Sequence, residues 1–152
     1  MRNRLGSTSF RTFLLYPAIV VAWEFAIRRG AAPYVDPLYL PLLAWGYLQY
    51  HLVGRYRIGR GGGGPGMDTP PERLVTSGPF AWCRNPMYLG HIIFLVGLAL
   101  TLRSALAAAI AAYTIVWFQF RVFRDERRLA ERFGQPYLDY KARVRRWIPG
   151  LF

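Results

Sequence analysis

Four stretches of the chain are long and almost free of charge, at residues 10–27, 38–53, 87–102 and 105–123. A helix rises 1.5 Å per residue, so about 20 residues cross a hydrocarbon core of roughly 30 Å. Each stretch lies near the short end of that range, and the pattern predicts four membrane-spanning helices. The competing reading is a soluble bundle with buried helices. It fails on the last two stretches, which lack the polar face a water-exposed helix needs. The expected fold is therefore all-α: a polytopic helical membrane protein of about four transmembrane helices, forming one domain over residues 1–152. A cytoplasmic helical segment, 121–152, should complete it.

The polar positions punctuate this frame. Residues 1–9 form a short basic arm. Pro17 sits where it can kink the first span. Residues 30–37 (GAAPYVDP) read as a turn. The stretch 59–71 (GRGGGGPGMDTPP) reads as a flexible linker or lid. It lacks the Lys-Ser/Thr ending of a phosphate-binding loop, and no strand precedes it. Spans three and four should form a tight hairpin around Arg103 and Ser104. Apolar residues continue past the fourth span at Val122, Phe123, Leu129 and Phe133, which predicts one helix from Ala105 to Phe133, roughly 43 Å long. Gly134 should stop it. A short helix, Tyr137–Val144, should follow with Tyr137, Tyr140 and Val144 on one side. Its basic residues suit an anionic leaflet, with Trp147 at headgroup level and WIPGLF closing the chain.

Composition sharpens the picture. The chain of 152 residues is 53% hydrophobic and 16% aromatic, with a net charge of +12. Nucleic acid or a membrane surface would explain the charge. Seventeen of the 20 basic residues fall before or at the start of span one, between spans two and three, and at the end of span four or after it. The positive-inside rule then puts both termini and the central loop in the cytoplasm. Segregation of this kind, across apolar runs, speaks against a nucleic-acid binder. Nineteen arginines against one lysine suggest a GC-rich genome, and with it a bacterial inner membrane. The late start of the first span and its Glu24 argue against a cleaved signal peptide.

Candidate chemistry is concentrated in two places. The first is the loop 72–90, with LVTSGPFAWCRNPMYLG at its centre. Prolines at 79 and 86 keep their neighbours out of a regular helix. The segment brings Arg84 and Asn85 to the mouth of an apolar span, flanked by Phe80, Trp82 and Tyr88. The second is the end of the fourth helix, where Arg121 and Asp125 share a face at i, i+4 and Glu126 follows. Elsewhere the signals are weaker. Glu24 is four residues from Arg28, which suggests an interfacial pair. His51 and His91 have no companion carboxylate spacing, and no metal site is expected. Cys83 stands alone, so the chain can form no internal disulfide.

Taken together, LVTSGPFAWCRNPMYLG and DERRLAERFGQPYLDYKARVRRWIP resemble the signature of the isoprenylcysteine carboxyl methyltransferases and the related membrane phospholipid methyltransferases. The resemblance covers residues 72–149. It implies S-adenosyl-L-methionine as methyl donor and a site at the cytoplasmic membrane face. By position, Leu74, Val75, Phe80, Asn85, Pro86, Met87 and Tyr88 would line the cofactor pocket. Asp125 and Glu126 stand where the family has its acidic pair, and Arg121 where it has a substrate-side arginine. Two departures stand out. Asn85 replaces a histidine common in the family, and Asp125 is one methylene shorter than the usual glutamate.

The residue types suit that chemistry. Asp125 or Glu126 could pair the donor's ammonium, and Arg84 could take its carboxylate. Phe80 and Tyr88 could stack the adenine or face the sulfonium, a contact of about 0.5–2 kcal/mol. Methyl transfer needs positioning and electrostatics rather than a nucleophilic side chain. Arg121, Asp125 and Glu126 are the catalytic candidates. The expected acceptor is lipidic or prenylated, with isoprenylcysteine-type carboxylate methylation favoured, and membrane lipids surround the protein. Phospholipid N-methylation is the alternative within the class. Outside it stand a non-catalytic binding or assembly protein on the same scaffold and a basic structural protein bound to anionic lipid.

Overall fold

The computed structural model describes residues 7–64, 66–67 and 69–147. The first six residues of the basic arm and the last five residues of the WIPGLF ending lie outside the described residues. Among those described, every regular element is helical. Helix α1 spans Thr8–Ile27, α2 Leu40–Gly61, α3 Pro86–Leu102, α4 Ala105–Phe133 and α5 Gln135–Arg143. A single helical turn, Pro79–Trp82, interrupts the loop before α3.

Two of these helices, α1 and α4, are long and apolar enough to cross a membrane, and α3 is a shorter apolar helix. Little of either long helix's apolar window is buried inside the fold, 17% for α1 and 28% for α4. The central helix of a soluble bundle would be buried. Instead Trp23, Phe25, Trp45, Leu48, Val116 and Phe120 stand exposed on the outer faces. An exposed apolar surface of that extent marks an interaction site or a bilayer contact.

Proline in α1 has a visible consequence. Pro17 has no N–H to return to the preceding turn, and Arg11–Leu15, just before it, is wound as a π-helix. The linkage between α2 and α3 rests on glycine. A Cβ on Gly46 would lie 2.5 Å from the Phe94 amide nitrogen, and one on Gly90 would lie 2.9 Å from the Gly46 carbonyl oxygen. The two backbones therefore touch, as small residues permit in membrane-type packing. At the hairpin, Ser104 caps α4 by accepting from the Ala107 amide at 3.3 Å. Arg103 adopts positive φ there and pairs with Asp36 at 2.9 Å. Glu24 is buried and meets Arg28 at 3.2 Å. Gly134 ends α4 with φ of +59°.

The structure departs from the sequence pattern in two places. Helix α2 does not stop near residue 53 but runs to Gly61. The polar stretch HLVGRYRIG keeps a helical face that buries Val53 and Arg57. The glycine run beyond it is not a free linker either. Arg57 donates to the carbonyl oxygens of Thr69, Gly64 and Gly66 at 2.8, 3.0 and 2.6 Å. One buried guanidinium thus folds the segment back over the end of α2.

Candidate active site

The loop, the start of α3, the end of α4 and α5 enclose a cavity of about 340 Å³. That volume falls within the range of small-molecule sites. The geometry begins with Asn85, at the position just before α3, and Pro86 in the helix's first turn. Proline's fixed φ is preformed for that position. The first turn then buries Pro86, Met87 and Tyr88. Tyr88 packs edge-on against Phe118 of α4, with ring centroids 4.8 Å apart. This contact sets the loop against the C-terminal half of α4.

Tyr88 is the centre of one polar cluster. Its hydroxyl donates to Asp125 Oδ2 and accepts from Arg121 Nε at 2.8 Å. Arg121 and Asp125 are themselves 3.8 Å apart across one helical turn. Arg121 also donates to the Thr8 hydroxyl at 2.9 Å and lies over the Trp117 ring. Asp125 keeps 29% of its side chain exposed, and it lines the cavity. Tyr88 claims Oδ2, while Oδ1 has no hydrogen-bond partner among the described residues.

Glu126 is the centre of the other cluster, and its environment is opposite. It is 4% exposed. Arg146 grips it with two bonds, Nε at 3.0 Å and Nη2 at 2.9 Å. Arg84 meets Oε1 at 2.9 Å and Lys141 approaches Oε2 at 3.7 Å. Burial alone would raise the Glu126 carboxyl, but the Arg146 hydrogen bonds and the charges of Arg84, Arg146 and Lys141 hold it below the ordinary 4.5. Arg84 completes a strap: its backbone amide donates to Arg145 O at 2.9 Å and its side chain to Lys141 O at 2.6 Å. Asn85 Nδ2 and Cys83 Sγ both donate to Arg146 O. Burial pushes the Cys83 thiol up to about 11.

All eleven site residues read from the sequence border this one cavity: Leu74, Val75, Phe80, Arg84, Asn85, Pro86, Met87, Tyr88, Arg121, Asp125 and Glu126. Their surroundings are not alike. Arg84 and Glu126 turn their charges on each other, and Asn85 turns its amide on the C-terminal segment. Residues outside that set also reach the cavity. Arg57 comes from the α2 end and Met67 from the loop beyond it, Arg128 and Arg132 from α4, and Tyr137 and Tyr140 from α5. The tyrosines of α5 were legible as a face. Their basic neighbours were expected to face lipid, yet Lys141 and Arg146 turn inward to Glu126. Trp147 likewise packs against the Tyr88–Phe118–Val122 cluster and donates to Gln119 at 2.8 Å. Arg57 offered one signal, an arginine one turn ahead of a glycine run. Among the described residues, five arginines and two carboxylates border the cavity, so positive charge predominates among them. Among the described residues, no group of three or more His, Cys, Asp or Glu side chains could hold a metal ion.

Comparison with known proteins bears out the resemblance carried by the two sequence blocks. Residues 63–136 match the family described as phospholipid methyltransferase. The chain is 41% identical over 78 residues to the protein-S-isoprenylcysteine O-methyltransferase of Mus musculus, covering 50% of this chain and 27% of that protein. It is 35% identical over 78 residues to the Saccharomyces cerevisiae protein of the same name, covering 50% and 32%. It is also 35% identical over 78 residues to the nickel-cobalt-cadmium resistance protein NccN of Alcaligenes xylosoxydans xylosoxydans, covering 51% and 37%. The chain thus covers 27–37% of these relatives' length, and residues 63–136 carry most of the cavity's border.

Proposed function

We propose that this chain is an integral membrane methyltransferase that uses S-adenosyl-L-methionine and methylates the carboxylate of a lipidic acceptor of isoprenylcysteine type. The observation that carries this reading is the split between the two adjacent acids. Glu126 is saturated by arginines, whereas Asp125 presents an oxygen to a positively charged cavity bordered by aromatic and apolar side chains.

The residues present suit such a cofactor. Asp125 would pair the ammonium group, and Phe80 and Tyr88 offer π faces to the adenine or the sulfonium. Leu74, Val75, Pro86 and Met87 form the apolar wall. Arg84 is committed to Glu126, so Arg128 or Arg132 on the cavity border is better placed to take the cofactor's carboxylate. When bound, the cofactor supplies an electrophilic methyl group on a sulfonium. The chain's own residues then position the acceptor. Arg121, braced by Tyr88, Asp125 and Thr8, would hold one carboxylate oxygen and stabilise its charge while the other attacks. A carboxylate has no proton to lose, so no general base is required. The strap of residues 141–147 and the loop held by Arg57 would limit water above the site.

The same reading extends to topology. Four spans, α1 to α4, with both termini and the cavity on the cytoplasmic side of a bacterial inner membrane, fit the arginine distribution. At 22 and 17 residues, α2 and α3 are long enough to cross or nearly cross the core. A lipidic acceptor would enter between helices.

The family description of residues 63–136 favours a second reading, N-methylation of a phospholipid amine. There Asp125 would have to accept the amine's proton. Purified protein in detergent, given labelled cofactor and either a prenylated cysteine or phosphatidylethanolamine, separates the two. Label in the prenylated cysteine is expected, and Asp125→Asn should weaken cofactor binding by tenfold or more. A folded sample that binds no cofactor would overturn both readings.

A further inference from the structure

Met67 borders the main cavity and also packs on two apolar clusters. One is Tyr50, Val53 and Met87; the other is Tyr88, Phe118 and Val122. Among the side chains packed on these clusters, Met67 alone belongs to both. Met87 and Tyr88 line the cavity as Met67 does. Tyr50, Val53, Phe118 and Val122 do not; they are buried residues of α2 and α4. Met67 therefore stands where the cavity meets the apolar interior of the bundle.

Its attachment differs from that of its neighbours. They sit on helices and move only with them, whereas Met67 lies in the segment between α2 and α3 and is half-buried. In the stretch GRGGGGPGMDTPP it is the one large apolar side chain apart from proline. Arg57 holds backbone on both sides of it, bonding the carbonyl oxygens of Gly64 and Gly66 before it and Thr69 after it. Gly66, the residue just before it, has φ of +86°, a conformation that suits glycine. Methionine is unbranched and turns about three bonds, so it fills irregular space and repacks around an apolar ligand.

Tyr88 connects this position to the reacting end of the site. Its hydroxyl accepts from Arg121, and its ring belongs to one of the clusters on which Met67 packs. An acceptor with its carboxylate at Arg121 must lay its tail along apolar surface, and beside Tyr88 the apolar side chain not fixed to a helix is Met67. Resting on the isoprenylcysteine-type acceptor argued above, we propose that Met67 is a movable plug that selects the acceptor's tail. The tail displaces the Met67 side chain and runs on between the two clusters, while Arg57 keeps the segment in place.

The test measures acceptor binding apart from turnover. The full chain in an uncharged maltoside detergent is titrated with N-acetyl-S-geranylcysteine or N-acetyl-S-geranylgeranylcysteine, followed by tryptophan fluorescence. Cofactor affinity is measured separately by calorimetry. Met67→Ala should shift the ratio of the two affinities toward the longer tail, and Met67→Phe should shift it toward the shorter, each by roughly tenfold. Met67→Leu, nearly equal in volume, should match the wild type. Cofactor affinity should stay within about twofold throughout, on the same reasoning. The phenylalanine variant decides the matter should Met67→Ala fail to fold. A merely structural role moves both acceptors alike, so an unchanged ratio in the folded variants overturns the proposal. A parallel loss of cofactor binding also overturns it, since Met67 would then be a wall of the cofactor chamber. A wild type that binds the cofactor but neither acceptor refutes instead the isoprenylcysteine reading, and this inference falls with it.

Discussion

Replacing Glu126 with glutamine separates stability from cofactor binding. Glutamine has nearly the helix propensity of glutamate, so α4 itself is unaffected. What changes is the charge at a side chain 5% exposed, facing Arg84 at 8% and Arg146 at 19%. Removing one partner of a buried pair costs about 3–5 kcal/mol, because the other charge is stranded. Arg146 and Lys141 retain some water, which brings the expected loss to about 2–4 kcal/mol. For a chain of this size each kcal/mol shifts Tm by roughly 2–4 °C, so Glu126→Gln should unfold about 5–15 °C lower in detergent. Adding Arg84→Gln should recover part of that loss, with a coupling of about 2 kcal/mol in a double-mutant cycle. Asp125→Asn, at a partly exposed position, should lower Tm by less than about 3 °C while weakening cofactor binding. The reasoning is refuted if Glu126→Gln leaves Tm within about 2 °C of wild type but weakens the cofactor as much as Asp125→Asn does.

Other outcomes follow from the same geometry. The Glu126 carboxyl lies below its ordinary 4.5 in the fold, so its stabilisation is complete above about pH 4.5 and is lost as pH falls through the lower folded value; an acid melting series should show this loss, and Glu126→Gln should flatten it. Cys83, buried and held as a thiol by a value near 11, should resist maleimide at pH 8 in folded protein and react only on denaturation. Gly46→Ala should lower stability by about 3 kcal/mol or more, since the added methyl meets backbone rather than movable side chains; a properly folded variant with unchanged Tm would refute the close packing of α2 on α3. Arg57→Met should free the 62–72 segment, seen as faster proteolysis and faster amide exchange there, with cofactor affinity reduced several-fold.

The frame of this molecule was legible because hydrophobic runs and helix stops act locally. The hairpin at Ser104 and the end of α4 at Gly134 follow from capping and positive φ, properties of a few adjacent residues. Much of the candidate site's border was legible for a different reason, since the two motif blocks carry fifteen of the twenty described residues that line the cavity. What escaped was long-range charge pairing. Nothing near Glu126 in sequence says that Arg146, twenty residues on, turns back to grip it. The basic run 141–146 looks like a lipid-facing patch until its partner is known. The extension of α2 escaped in the same way. Residues 54–61 include three glycines, weak helix formers, and they hold because Arg57 gains three carbonyl acceptors from a loop beyond them.

The adjacent acids are best understood through helix geometry. Successive residues on α4 point about 100° apart. Ala107, Ala111, Thr114, Phe118 and Val122 are its buried residues, and Glu126 continues that row. An acid on the buried row survives only with cations around it, and Arg84, Arg146 and Lys141 supply them. Asp125 lies off the row, one turn beyond Arg121, on the side where the cavity opens. Its side chain is one methylene short of a glutamate, yet Tyr88 closes the gap by reaching across from α3 to bond Oδ2. That bond fixes the carboxylate and leaves its other oxygen without a hydrogen-bond partner among the described residues. Exchanging the pair, with glutamate at 125 and aspartate at 126, would therefore not be neutral. The shorter acid would draw away from Arg84 and Arg146 in the buried row, and the longer one would crowd Tyr88.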